Sequence, residues 1–138
     1  MKLKYCCQTK GAKAMGRDLQ ISPKRSYEVA RMIRGKKLET AKRELELVVA
    51  KKMAVPHVRY KRKTGHKTGM MAGRYPVKTA AEFLKVLKNA ESNAKDLNKD
   101  KLVVSHISVH KARIMYGRKK GSPYNKKTSH IQVVLTEA

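Results

Sequence analysis

Apolar residues recur at helical spacing in three stretches of the chain and at alternate positions in two more. Ser22-Pro23 opens the first helix: serine is a favoured N-cap, proline is preset for the first helical position, and Tyr27, Ala30 and Ile33 follow at three-residue steps. Gly35 is its natural stop. Leu38, Ala41, Leu45, Val48 and Val49 trace one stripe over residues 38–51, with Lys42, Arg43 and Glu46 off it and Pro56 beyond its end. A third helix is predicted over residues 76–96, with Val77, Ala80, Ala81, Leu84, Leu87, Ala90 and Ala94 on its buried face; Asn98 helps the chain turn. After Asp100 the period becomes two: Val103, Ile107 and Val109 share one face of a strand over residues 102–109, and Ile131, Val133 and Leu135 share one face of another. Residues 18–21 supply a short third strand, because three strands under a helical layer are more stable than a lone hairpin. The predicted fold is α+β, one domain over residues 1–138, with three helices packed on a small three-stranded antiparallel sheet.

Two polar segments interrupt this pattern. Residues 110–130 are too long for a tight turn and too polar for a core; they read as a long protruding basic β-hairpin whose tip is bounded by Gly117 and Pro123. Residues 55–75 read as a basic, glycine-containing loop. Composition sharpens the picture: 34 Lys and Arg stand against 10 Asp and Glu, a formal charge of +24 on 138 residues. Self-repulsion on that scale weakens the compact state and draws in polyanions, so nucleic acid is the expected partner. With no Trp and only Phe83 among phenylalanines, the core must come from Leu, Val, Ile, Ala and Met. The adjacent Cys6 and Cys7 form no disulfide framework, and no apolar run approaches the roughly 20 residues needed to cross a bilayer, so a cytoplasmic protein without membrane attachment is expected.

The charge has an address. Residues 47–81 hold nine cations and no acid, and residues 101–136 hold eight and no acid. The acids Glu39, Glu44, Glu46, Glu82 and Glu91 fall in the helical patterns, where partners at helical spacing are available. In the hairpin, Lys111, Arg113, Arg118, Lys119, Lys120, Lys126 and Lys127 are unrelieved by any anion, whereas an ordinary surface loop mixes signs. Such a ribbon suits a crevice in folded RNA, with cations on phosphates and Arg113, Tyr116, Arg118 and Tyr124 available to stack on unpaired bases. A second surface carries Arg59, Lys61, Arg62, Lys63, Lys67 and Arg74 around Gly65, Gly69 and Gly73; the competing reading is a flexible linker, and Met70 and Met71 pack locally. A third comprises the N-terminal arm and first helix, with Lys24 and Arg25, followed by Arg34, Lys36 and Lys37.

Catalytic and metal motifs are missing. His57, His66, His106, His110 and His130 are scattered and no C-x-x-C pair exists, so no metal and no cofactor is expected; His106 and His110 share a strand face by parity. No phosphate-binding glycine motif, H-E-x-x-H or G-x-S-x-G occurs, and carboxylates are too few for an acid/base pair, so no enzyme is expected. An RNA-bound structural protein and a free-standing RNA- or DNA-binding architectural or chaperone protein both remain open on these grounds.

Five words in the sequence carry a resemblance. Ile33-Arg34-Gly35-Lys36-Lys37, Asn89-Ala90-Glu91-Ser92-Asn93-Ala94 and Lys127-Thr128-Ser129-His130-Ile131 resemble signatures of the universal large-subunit ribosomal protein twenty-two family. AKAMGRDLQISPK over residues 12–24 and GRYPVK over residues 73–78 are similar to its archaeal members, which carry the basic loop that bacterial members lack. The resemblance covers nearly the whole chain. It implies an assembly and architectural role in the cytoplasmic large subunit near the nascent-chain exit, bound to ribosomal RNA and neighbouring ribosomal proteins, with no homo-oligomer. It also implies that the hairpin tip, Met115, Tyr116, Gly117, Arg118, Lys119 and Lys120, lines the exit tunnel and meets the nascent chain. Where the family usually carries an Arg-Met-Pro-Arg-Ala-like run before Gly-Arg, this chain has Arg113-Ile114-Met115-Tyr116-Gly117-Arg118.

Overall fold

In a computed structural model, which describes residues 5–6, 10–96, 101–119 and 122–137, the predicted α+β architecture is present. Cys7, Asn98 and Lys120 lie outside those residues. Helices α1 (Pro23–Ile33), α2 (Leu38–Val49) and α3 (Val77–Asp96) match the three periodic stretches to within a few residues. Strands β1 (Ala12–Leu19), β5 (Leu102–Lys111) and β8 (Ser129–Glu137) form an antiparallel sheet in the order β1-β8-β5. The helices pack on it: α1 on β5, α3 on β1 and β8, and α2 on α3.

One apolar layer fills the space between. Phe83, Ile33, Leu45, Leu87, Ile107, Ile131 and Leu135 are all fully buried in it. Along the central strand β8, Ile131, Val133 and Leu135 face the helices, and their partners across β1 are Gly16, Ala14 and Ala12. These small partners let α3 approach closely: a Cβ added at Gly16 would stand 2.9 Å from Val86 Cγ2 and 2.7 Å from Leu19 Cδ1.

Three expectations about the main sheet and the ion pairs need correction. The third strand is not residues 18–21 but β1, which begins at Ala12 and changes register between Gly16 and Leu19, with Asp18 at a positive φ of 48°. Ala12, Ala14 and Gly16 contribute too little apolar area to announce a strand; pairing with β8 creates it. On β5, Val104 rather than Val103 is fully buried beside Ile107. The register shifts between Val104 and His106, so an extra residue, Ser105, resets the alternation. Finally, Glu44 and Glu91 do not pair within their own helices: Glu44 meets Lys36 at 2.5 Å, and Glu91 meets Lys42 of α2 at 2.5 Å, tying α2 to α3. Only Glu82 and Lys85, at 3.0 Å, follow helical spacing among the described pairs.

The segment read as a loop over residues 55–75 is partly ordered by its own backbone. Strands β2 (Val55–Pro56), β3 (His66–Lys67) and β4 (Met71–Arg74) form a small antiparallel sheet in the order β2-β4-β3. Val55 and Ala72 are buried, so the segment has the apolar anchors its composition hides. A polar anchor is stronger: the carboxylate of Glu28 on α1, 1% exposed, accepts hydrogen bonds from the backbone N–H groups of Val58 (3.2 Å), Arg59 (3.0 Å) and Tyr60 (2.7 Å). A buried carboxylate is tolerable only when donors converge on it in this way.

At the end of the sheet, β5 and β8 pair as far as Lys111 and Ser129. Ala112 donates its N–H to the Thr128 carbonyl at 3.1 Å, the Thr128 hydroxyl donates to the Arg113 carbonyl, and a second ladder follows, β6 (Met115–Lys119) with β7 (Ser122–Lys126). Among the described side chains of this ladder, residues 113–117, 125 and 126, none belongs to the apolar core.

Two outcomes follow from this arrangement. Glu28→Ala should lower stability by about 2–3 kcal/mol, because three amides lose a charged acceptor, and amide exchange at residues 58–60 should accelerate; unchanged exchange there would refute the anchoring role. Deleting residues 113–126 should leave a cooperatively melting domain with native helical circular dichroism, whereas an unfolded deletion would place the hairpin inside the folding unit.

Candidate nucleic-acid interface

The densest chemistry lies where α1, the β2–β3 connection and the root of the β6–β7 hairpin meet. There a cleft of about 500 Å³ is framed by the first turn of α1, by Tyr60 and by the end of β5. Its lining includes the apolar Val109, Ala112 and Ile114 and the tyrosines Tyr27 and Tyr60. Lys24, Lys111 and Lys127, far apart in sequence, all line it, and among the described residues no acid does.

Glu28 sets this geometry. By holding the amides of residues 58–60 against α1, it brings Tyr60 to Tyr27, one residue before it in the helix; the two rings meet edge to face, 5.8 Å between centroids. Arg59 lies over both rings, 5.1 Å from Tyr27 and 5.6 Å from Tyr60, and Lys24 lies 5.6 Å from the Tyr60 ring. The Arg59 guanidinium is held more firmly protonated than usual, chiefly by the Tyr27 side chain and then by its proximity to Tyr60. Pro23 donates no N–H, and the first-turn amides of Lys24 and Arg25 have no acceptor inside the helix, which adds to the positive potential at the cleft mouth.

The cations singled out by the sequence divide into groups. Lys24, Arg25 and Arg59 surround the start of α1 and the Tyr pair, and Lys111, Arg113, Lys126 and Lys127 continue the basic surface along the hairpin root; all are exposed. Lys61, Arg62 and Lys63 are exposed on the β2–β3 connection, where Arg74 donates to the Lys63 carbonyl at 2.8 Å and Lys67 lies 5.4 Å from the Tyr75 ring. Arg34 and Lys36 have structural employment: the Arg34 guanidinium donates to the Ile107 carbonyl at 2.8 Å, and Lys36 is paired with Glu44. Lys37 is exposed and bridges through its backbone to Val103.

At the hairpin, Tyr116 is 77% exposed and Met115 45%, although both belong to a paired strand. Gly117 is half-buried, Arg118 and Lys119 pair through their backbones with Pro123 and Ser122, and Lys120 falls outside the described residues. His57 is buried with Nδ1 3.0 Å from the Val55 carbonyl, and His130 Nδ1 accepts the Asp18 N–H at 3.1 Å; among the described residues no group of His, Cys, Asp or Glu is arranged to hold a metal ion.

Neither the cleft nor its organiser is legible in the sequence. Tyr27 reads there as part of a helical stripe, but the buried face of α1 is Ser26, Glu28, Val29, Ala30 and Ile33, leaving Tyr27 to the side. Tyr60 and Glu28 give no signal beyond a tyrosine next to an arginine and an acid close to the apolar stripe.

Comparison with known proteins gives a single answer. The family model described as Ribosomal protein L22p/L17e matches residues 14–136. Among similar proteins, the large ribosomal subunit protein uL22 of Methanosphaera stadtmanae is 47% identical over 137 residues, covering 92% of this chain and 89% of the relative. Those of Methanococcoides burtonii (44% identical, 91% and 89% covered) and Methanothrix thermoacetophila (41%, 99% and 97%) agree. The five words and the sheet-backed three-helix fold thus have one source: the chain belongs to the Ribosomal protein L22p/L17e family.

Proposed function

We propose that this chain is a structural constituent of the large ribosomal subunit in the cytoplasm, bound to ribosomal RNA through its basic surfaces, with its β6–β7 hairpin in the wall of the nascent-polypeptide exit tunnel. The membership of its family and the printed names of its relatives support the ribosomal role. The observation that carries RNA binding is the gathering of Lys24, Arg59, Lys111 and Lys127 around two tyrosine rings, on a chain of charge +24. Cations at this density repel one another unless phosphates neutralise them, and aromatic rings between them add affinity for bases. Exposure of Met115 and Tyr116 on a paired strand supports a tip that finds its surroundings in a partner, here the tunnel RNA and the passing chain. Neighbouring ribosomal proteins complete the set of partners. The role is architectural: RNA folds around a rigid domain and its arm, and no catalytic step is assigned.

Sedimentation in a salt gradient tests the assignment against a free-standing nucleic-acid-binding protein. The chain should remain with the large subunit until salt high enough to disrupt the subunit itself; release at modest salt from an intact particle would refute integral membership. Replacing Lys61, Arg62 and Lys63 with Ala should weaken RNA affinity and flatten its salt dependence, by up to about 0.7 to 0.9 in log–log slope for each phosphate that is no longer neutralised. An unchanged slope would make that segment a connector.

A further inference from the structure

The cleft beside α1 has properties that phosphate attraction alone does not call for. A surface that neutralises backbone phosphates needs cations in the open, as on residues 61–63. Lys24, Lys111 and Lys127 are exposed too, but they also line a concavity of about 500 Å³, inside the roughly 300–1,000 Å³ range of small-ligand sites. Its lining joins the apolar Val109, Ala112 and Ile114 to two tyrosines, Tyr27 and Tyr60, and to Asn125, whose amide is a donor and an acceptor in one group.

Taken together, these groups select for an occupant that is planar, apolar on its faces, polar at its edge and anionic at one end. We infer that the cleft receives a single unpaired nucleotide of an RNA strand, its base against Tyr60 and Tyr27 and its phosphate among Lys24, Lys111 and Lys127. An acidic peptide would satisfy the lysines but leave the apolar lining and the rings without a matching group. A base inside a duplex cannot enter, because its faces are stacked and its edge is paired; an extruded or bulged nucleotide presents both. The ammonium of Lys24 over Tyr60, 5.6 Å from the centroid, marks a ring to which a partner is already drawn; its flexible stem lets it turn to the phosphate as the base takes its place. Pre-organisation comes from Glu28, which fixes residues 58–60, and from the Thr128 hydroxyl, which donates to the Arg113 carbonyl at the hairpin root.

This inference rests on the RNA-binding reading and is tested so that the two can fail separately. The purified full chain is titrated with two RNA hairpins, identical except that one carries a single unpaired nucleotide in its stem. The wild type should prefer the bulged hairpin by about tenfold, the scale of one stacked base. Tyr60→Leu should erase that preference while Tyr60→Trp retains it, and replacing Lys61, Arg62 and Lys63 with Ala should weaken both RNAs alike. Should Tyr60→Leu unfold by circular dichroism, Asn125→Glu, at an exposed position, serves in its place: a carboxylate set among the lysines should also erase the preference. Equal wild-type affinity for the two RNAs, or a preference that survives these changes, overturns the cleft assignment and leaves RNA binding standing; failure to bind either RNA overturns both. In irradiated large subunits, a mononucleotide adduct on Tyr27 or Tyr60 would support the inference, and a cross-link from either to a neighbouring protein would overturn it.

Discussion

Burial of one apolar layer against the β1-β8-β5 sheet has to outweigh the mutual repulsion of a chain carrying +24. The layer is thin, and its one large aromatic, Phe83, sits fully buried among Ile33, Leu45, Leu87, Ile107, Ile131 and Leu135. Nearly every cation is excluded from it and placed on its outside or on appendages. The fold therefore separates two tasks by position: apolar contact between helices and sheet gives the domain its shape, and the charged shell is left available to an external anion.

Part of that charge is managed internally before any partner arrives. Lys36 and Lys42 are paired with Glu44 and Glu91, pairs whose surface position limits their energetic weight but which fix local geometry. Arg34 is tied to the Ile107 carbonyl. Arg59, Lys24 and Lys67 rest on tyrosine rings, where a π-face accepts a cation without lowering the net charge. These interactions pre-orient side chains that would otherwise lose rotamer freedom on meeting RNA.

Glu28 links α1 to the β2–β3 connection. Its carboxylate is one of the few acids the chain has, and it is buried rather than exposed to offset cations. In exchange for that desolvation it orders the backbone of residues 58–60 and so places Tyr60 in the lining of the cleft. A hydrophobic residue at the same place could fill the space, but it could not collect three amides, and Tyr60 would have no fixed position beside Tyr27.

In the sequence, periodicity and turn chemistry determined the three helices and the strands β5 and β8, the distribution of charge determined the two cation-rich segments, and five short words carried the resemblance to the family. Those features are local: a stripe at 3.6 or an alternation at two is written in neighbouring residues. What only the tertiary structure decided is whatever depends on a partner distant in sequence. Strand β1 exists because β8 pairs with it, Val104 replaces Val103 in the core because a bulge at Ser105 resets the phase, and residues 58–60 are held in place because α1 offers Glu28. The cleft is the extreme case. Lys24, Tyr60, Lys111 and Lys127 carry no shared motif, and they become one site only when the sheet brings the hairpin root beside the first turn of α1.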